Sequence, residues 1–301
     1  MDEKQRAATE AATPVRQDKY TDNPSIPQPS EEWEDNPVEA IIGEAEAASE
    51  EARKHVGMLI VRTANETIAE AASRPNPADL YRGLWYEGEA CCLFADSNVG
   101  KSIFAVQMGD EIARSRRVLY ADFELSDKQF QLRYTDKATG VRHVFASTFF
   151  RAEIDSDNYD CTAPEDAILN NIEAAALRCE ADTIIVDNLT MLCNSSEKGD
   201  AAGLFMMRLL SLKRKYGWSL LIIAHTPKRQ LTNPITQNDL AGSKKLYNFF
   251  DSVFAIGQSA QDKSLRYVKQ LKVRADEFSY GADNVVVYEV SKESGFLQFI
   301  F

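Results

Sequence analysis

The chain has 301 residues, 44% hydrophobic and 27% charged, which allows one large globular domain or two small ones. Acidic side chains outnumber basic ones by 46 to 34, and the net charge of −12 excludes a generally basic coat for nucleic acid. No apolar run approaches the ~18 residues of a membrane span. The N-terminus lacks the apolar core of a secretory signal, and the five cysteines lack metal-ligand spacing. We therefore expect reduced thiols in a cytoplasmic protein.

The N-terminal part of the chain differs in amino-acid composition from the rest. Residues 1–36 are polar and contain four prolines, which predicts a disordered acidic tail that contacts a protein partner or maintains solubility. Residues 37–78 are predicted to be a helical extension, with one helix from Val38 to about His55 and a second from about Leu59 to Ala72. Residues 79–301 are predicted to form one domain.

Within that domain, short apolar runs alternate with helical patterns. The first runs, each predicted to be a strand, are Ala90–Ala95, Val118–Asp122, Phe149–Ala152, Thr183–Asp187 and Ser219–Ala224. The helical patterns between them are Ser102–Ala113, Ser126–Tyr134, Pro164–Arg178 and Ala201–Tyr216. Four further strands follow at Ser252–Ile256, Leu265–Val273, Val285–Val290 and Phe296–Phe301. The pattern predicts an α/β fold with a mostly parallel central sheet and a C-terminal antiparallel meander.

A phosphate-binding loop follows the first strand and opens a helix. Its residues are Ala95, Asp96, Ser97, Asn98, Val99, Gly100, Lys101 and Ser102. Backbone N–H groups in such a loop point at phosphate oxygens, helped by the helix N-terminus. We expect Lys101 to reach the β- and γ-phosphates and Ser102 to hold Mg²⁺. Ala95 replaces the usual first glycine, which would cost about 1–2 kcal/mol if that position required a positive φ.

Two other strands end in carboxylates at positions suited to the same site. Asp187 ends an apolar strand and is a candidate for holding Mg²⁺ through water, although a strand-end aspartate can also simply cap a loop. Asn188 follows it, so the catalytic carboxylate must come from elsewhere. Glu124, at the end of the strand after the phosphate-loop helix, is the candidate that deprotonates the attacking water, with Asp122 as its rival.

These features together resemble the RecA-like P-loop NTPases. The phosphate loop, the run from Val118 to Ser126 and the unpaired Asp187 are most similar to the RepA-like plasmid helicase ATPases and the motor domain of DnaB-type helicases. The resemblance covers about residues 80–280. It implies ATP and Mg²⁺ as cofactors, hydrolysis of ATP, and a homo-oligomeric ring, expected to be a hexamer, with ATP sites between subunits.

The resemblance also implies roles for residues farther along the chain. His225, at the end of the Ser219–Ala224 strand, corresponds to a polar sensor of the γ-phosphate. Lys272 and Arg274 resemble a Lys-x-Arg pair that reaches a neighbouring subunit's phosphate, and residues two apart in a strand share a face. Solvent-facing positions are the simpler interpretation of that pair, and a backbone-bonded histidine that of His225.

For nucleic acid, the resemblance indicates the loops after the Asp187 strand and after the sensor strand. The second loop holds Lys228 and Arg229 with no acidic residue before Asp239, so these two are the candidate contacts to single-stranded DNA. An ordinary charged surface loop is an equally good interpretation. The function expected is an oligomeric ATPase motor that acts on DNA in replication or mobilisation of a plasmid-like element. A switch or assembly factor acting on a protein partner, and a small-molecule kinase, are the alternatives.

Overall fold

The computed structural model describes residues 41, 54–155, 157, 165–188, 199–227, 229–230, 233–240, 244–274, 277–292 and 295–300. The chain divides into two compact units, Met1–Arg74 and Pro75–Phe301. The predicted tail at residues 1–36 lies outside the described residues, as does most of the first predicted helix.

The described end of the first unit contains a small hairpin and one helix. Strands β1 (His55–Val56) and β2 (Leu59–Ile60) pair in antiparallel fashion, and helix α1 spans Ala64–Ala72. The prediction that a helix begins near Leu59 is therefore wrong. The helix begins later because Thr63 caps it: the Thr63 hydroxyl accepts from the Glu66 N–H at 3.2 Å, and the Glu66 carboxylate accepts from the Thr63 N–H at 2.7 Å.

The second unit contains the remaining strands and helices. Its strands are β3 (Asp79–Tyr81), β4 (Trp85–Tyr86), β5 (Ala90–Ala95), β6 (Val118–Asp122), β7 (Phe149–Glu153), β8 (Thr183–Asp187), β9 (Ser219–His225), β10 (Ser252–Gln258), β11 (Leu265–Lys272), β12 (Val286–Ser291) and β13 (Gln298–Ile300). Its helices are α2 (Lys101–Ile112), α3 (Asp127–Arg133), α4 (Glu165–Cys179), α5 (Gly199–Tyr216) and α6 (Lys244–Phe249).

Nine of these strands form one sheet, in the order β13-β12-β11-β10-β5-β9-β8-β6-β7. In the part of this order that runs from β10 to β7, each strand is parallel to its neighbour. The pairs from β10 through β13 are antiparallel. The predicted α/β fold, with a mostly parallel sheet and a C-terminal meander, is therefore confirmed, and every apolar run predicted as a strand belongs to this sheet. The sequence analysis missed the β3–β4 hairpin and helix α6.

The central strands are apolar throughout because both faces of the sheet are covered. Alternate residues of β5 enter different cores: Cys92 and Phe94 pack against side chains of α4 and α5, whereas Cys91 and Leu93 pack on the side of α2 and the meander. All six β5 residues are buried. The strand that leads into the phosphate loop therefore lies at the centre of the fold.

The sheet brings the ends of four parallel strands together at one edge. In the register of the sheet, Ala95 at the end of β5 pairs with His225 at the end of β9, and Asp122 at the end of β6 pairs with Asp187 at the end of β8. Ligands of open α/β sheets bind outside the carboxyl ends of the strands. The predicted phosphate loop and both acidic strand ends consequently share one edge.

Helix α2 is held against the sheet by an aromatic cluster around Phe104, which is fully buried. The Phe104 ring lies 5.0 Å from the Phe299 ring and 5.6 Å from the rings of both Tyr81 and Tyr288, measured between centroids. These partners belong to the β3–β4 hairpin and the meander. The cluster therefore connects the helix that follows the phosphate loop to segments remote in sequence.

We predict that Phe104→Ala lowers the free energy of unfolding by about 3–5 kcal/mol, because it removes the centre of this cluster and leaves a cavity. Phe278→Ala is the matched control, since Phe278 is 52% exposed and should change stability by less than about 0.5 kcal/mol. Urea unfolding of both variants measures the difference. Equal stability losses would contradict the role given to Phe104.

Candidate active site

The phosphate loop connects β5 to α2 through two residues in the left-handed region of backbone space. Gly100, at the helix N-cap, has φ of 107°, and Asn98 has φ of 63°. A Cβ atom on Gly100 would lie 2.9 Å from the Phe299 ring, so glycine is required there for two reasons. Ala95 lies in β5 and does not have a positive φ, so its replacement of the usual glycine introduces no backbone strain.

Lys101 extends back over this loop. Its side chain is buried, and its Nζ donates hydrogen bonds to the carbonyl oxygens of Ala95 and Asp96, each at 3.0 Å. Burial lowers the pKa of Lys101, while the charges of Asp187, Glu124 and Asp96 oppose this effect. The ammonium group therefore sits among carboxylates at the mouth of the loop, where an anionic ligand would meet it.

Asp187 is fully buried at the end of β8. The Tyr120 hydroxyl donates to its Oδ2 at 2.6 Å. Its Oδ1 is buried and makes no hydrogen bond of standard geometry within the described residues. Burial raises the pKa of Asp187 to about 6, although the nearby hydroxyls of Ser102 and Tyr120 lower it. An uncommitted carboxylate oxygen beside a serine hydroxyl is a donor set that fits Mg²⁺.

The two rival carboxylates after β6 have different surroundings. Asp122 is 1% exposed, and its Oδ1 accepts from the N–H groups of Glu124 at 3.1 Å and Leu125 at 2.9 Å. Its Oδ2 accepts from Arg151 Nε at 2.9 Å. Both oxygens of Asp122 are thus committed to shaping the turn that carries Glu124. Glu124 is exposed and lines the cavity in front of the phosphate loop.

Asn188 joins Glu124 to His225. Its Nδ2 donates to Glu124 Oε2 at 3.1 Å and lies 3.0 Å from His225 Nε2. Burial, followed by the charge of Lys101, lowers the pKa of His225, so its imidazole is neutral at pH 7. The sequence analysis considered Asn188 only as the absence of a glutamate. Its position directly after a strand-end aspartate was the signal that could have identified it.

The phosphate loop, Glu124 and His225 line a cavity of about 310 Å³. Besides the loop residues, Glu124 and His225, its lining includes the side chains of Arg133, Arg266, Val290 and Leu297. Arg133 ends α3, whereas the other three come from the meander or the segment leading into β13. The sequence analysis missed all four because no local motif connects them with the phosphate loop. The cavity therefore has a cationic and an apolar portion in addition to the loop.

Lys272 and Arg274 lie at the opposite edge of the sheet from this cavity. Lys272 pairs with Val253 near the start of β10, which in turn runs beside the start of β5. Lys272 Nζ donates to the Tyr247 carbonyl at 3.1 Å, and Arg274 Nη1 donates to Asp251 Oδ1 at 2.8 Å. The structure does not bring these two cations to the phosphate loop of their own chain.

Of the two predicted contacts to DNA, the structure describes Arg229, while Lys228 lies outside the described residues. The Arg229 side chain is only 8% exposed, and its nitrogens lie 3.1 Å from Asp96 Oδ2 and 3.4 Å from Asp239 Oδ1. The fold thus brings two carboxylates, one of them from the phosphate loop, against the Arg229 guanidinium group, and no local pattern in the sequence indicated this. The contact of Arg229 with DNA stays a prediction.

The strand–loop–helix arrangement with acidic strand ends beside it defines a P-loop nucleotide-binding protein. Residues 59–230, more than half of the chain, match the model of the AAA domain family AAA_25, and the chain belongs to that family of P-loop ATPases. Membership supports nucleotide binding and ATPase activity in general. A comparison with curated proteins gave no match. In the part of the chain that the structure describes, no helix has both the length and the apolar character needed to cross a membrane.

We predict that Gly100→Ala weakens nucleotide binding by at least about tenfold, because a strained backbone and the contact with Phe299 both displace the loop. Titration calorimetry with ADP and Mg²⁺ measures the affinity. Gly140→Ala is the matched control: Gly140 also has a positive φ, 73°, but a Cβ there would meet no atom within 4 Å. Both variants should lose stability, and unchanged affinity in Gly100→Ala would contradict the prediction.

Proposed function

We propose that this chain is the subunit of an oligomeric RecA-like ATPase, a motor of the helicase or translocase type that acts on DNA in replication or mobilisation of a plasmid-like element. The observation that carries its catalytic part is that Lys101 and Glu124 line one cavity while the buried Asp187 acts electrostatically on Lys101. The part concerning DNA rests on the sequence resemblance to RepA-like and DnaB-type helicases.

In the proposed reaction, the N–H groups of the phosphate loop and Lys101 bind the β- and γ-phosphates of ATP. Ser102 and Asp187 would hold Mg²⁺, which supplies neutralisation of phosphate charge when bound. Glu124 accepts a proton from the attacking water at a carboxylate oxygen. Asn188 positions that carboxylate through its amide.

The remaining cavity residues suit the other parts of a nucleotide. Val290 and Leu297 supply apolar surface against which a base can pack, and both lie in the same cavity as the loop. Arg133 and Arg266 bring positive charge to a cavity whose other charged groups include Glu124. His225, neutral at pH 7, is suited to a hydrogen bond with the γ-phosphate rather than to an ion pair.

Oligomerisation is proposed because the two cations of the Lys-x-Arg pair cannot act on their own chain's nucleotide. Lys272 and Arg274 lie at the sheet edge opposite the phosphate loop, so only a neighbouring subunit could present a phosphate to them. Arg274 is 58% exposed, which leaves it accessible to such a neighbour despite its ion pair with Asp251. A ring, expected to be hexameric, would supply that geometry.

A second function is favoured by one observation, the burial of Arg229 against Asp96. Because Arg229 is paired with Asp96 and the chain has a net charge of −12, the loop proposed to contact DNA has little positive charge to offer a phosphate backbone. In this alternative the same ATP site drives a switch or assembly factor whose activator is a protein. The two functions share their catalytic chemistry and differ in what stimulates it.

We predict that Glu124→Gln retains ATP binding but lowers kcat by about 10²–10⁴, because the amide cannot take the proton from water. Glu153→Gln is the matched control, since Glu153 ends the neighbouring strand β7 at the same edge of the sheet and is not part of the cavity lining. Steady-state phosphate release measures turnover, and titration with ATP measures binding. Normal turnover in Glu124→Gln would remove this residue from its proposed role.

We predict that ATPase activity per subunit rises with protein concentration and rises further with single-stranded DNA, because active sites form between subunits. Arg274→Ala should lower turnover, and mixing it with Lys101→Ala should restore part of the activity, since one mixed interface retains both residues. Activity that depends on concentration but not on DNA favours the protein-activated switch. Constant activity per subunit and no rescue on mixing would contradict a shared site.

A further inference from the structure

We propose that Arg229 is the counter-ion that neutralises the charge of Asp96 within the phosphate loop, so that the affinity for an anionic nucleotide depends on Arg229. The inference rests on the proposed nucleotide site. It assigns to the segment after β9 a part in nucleotide binding that differs from the DNA contact predicted by sequence.

The ion pair between Arg229 and Asp96 is largely buried, and a third side chain contacts it. Arg229 Nη1 lies 3.1 Å from Asp96 Oδ2, and the two side chains are 8% and 13% exposed. The Thr226 hydroxyl donates to the other oxygen of Asp96. Asp96 is therefore held by two side chains of one segment, which contact both oxygens of its carboxylate.

A second set of contacts fixes Arg229 itself. Its Nε lies 3.4 Å from Asp239 Oδ1, and its Nη2 donates to the Asn233 carbonyl. Asp239 is in turn anchored, since its Oδ2 accepts from the Thr236 N–H at 2.7 Å and from the Thr236 hydroxyl at 2.8 Å. A guanidinium group held at several nitrogens in this way is preorganised to meet the Asp96 carboxylate.

Asp96 needs a counter-ion because its negative charge lies within the phosphate loop. An aspartate within a loop that binds phosphates places a negative charge beside an anionic ligand. The charge of Asp96 reaches the site, because it is one of the three carboxylates that raise the pKa of Lys101 against the effect of burial. At low exposure, solvent screens such repulsion only weakly. Arg229 neutralises Asp96 and thereby permits an anion to bind beside it.

The test measures affinity for a fluorescent ADP analogue in the presence of Mg²⁺. Arg229→Ala should weaken binding by about tenfold or more, because it leaves a largely buried carboxylate without its counter-ion beside the phosphates. Asp96→Asn should bind more tightly than the wild type, because it removes that charge. The double variant should recover most of the affinity lost in Arg229→Ala. If Arg229 served only to fold its segment, the double variant would bind as weakly as Arg229→Ala, and the proposal would be overturned.

Two control variants distinguish a loss of nucleotide affinity from a general loss of stability. Arg116→Ala removes an arginine that also has two carboxylate partners, Glu87 and Asp182, but lies before β6 at the far edge of the sheet. It should lose stability without losing affinity. Arg229→Lys keeps the charge and should retain more affinity than Arg229→Ala. Should Arg229→Ala fail to fold, Asp96→Asn decides the matter alone: tighter binding supports the proposal, and equal or weaker binding overturns it.

The proposed function is tested separately in the same assay. Wild-type protein should bind the analogue, and Lys101→Ala should not, because it removes the loop's own phosphate ligand. Absence of binding by the wild type would overturn the nucleotide site itself. Binding by the wild type with unchanged affinity in Arg229→Ala would overturn only the role of the ion pair.

Discussion

Lys101 brings a positive charge into the interior of the fold, where backbone carbonyl oxygens and three carboxylates surround it. That arrangement is stable only if neighbouring groups compensate the excess of negative charge around it. The aromatic cluster at Phe104 holds the helix that carries Lys101, and the register of the sheet holds the strands that carry the carboxylates. The packing of the core therefore determines the electrostatics of the site.

The carboxylates at this edge of the sheet are distinguished by their partners rather than by their residue type. Two are paired with arginines, and the two to which we assign the metal ion and the attacking water have neutral hydrogen-bond partners. The four pairs are Asp96 with Arg229, Asp122 with Arg151, Asp187 with Tyr120, and Glu124 with Asn188. In the proposed function, the two acids paired with arginines are structural, and the other two act on the metal ion and the attacking water.

The secondary structure of the sheet and the position of the phosphate loop were predictable because their signals are local. A run such as Thr183–Asp187 is apolar at every position except its ends, and Lys101 follows Gly100 at a strand-to-helix junction. The start of α1 was predicted wrongly because the helical pattern before Thr63 is weak, and the hydrogen bonds between Thr63 and Glu66 begin the helix there. The ion pair between Arg229 and Asp96 was not predicted, because the two residues are more than a hundred positions apart in the chain.

By itself, the sequence determined the places in the chain of the nine sheet strands and of helices α2 to α5, the class of P-loop proteins, and which residues are candidates for phosphate and metal binding. Only the tertiary structure decided that Arg151 pairs with Asp122 and Arg229 with Asp96. It also decided that Asn188 lies between Glu124 and His225. The physical reason is that hydrophobic periodicity acts over neighbouring residues, whereas an ion pair depends on the distance between side chains. That distance is set by the register of strands far apart in the chain.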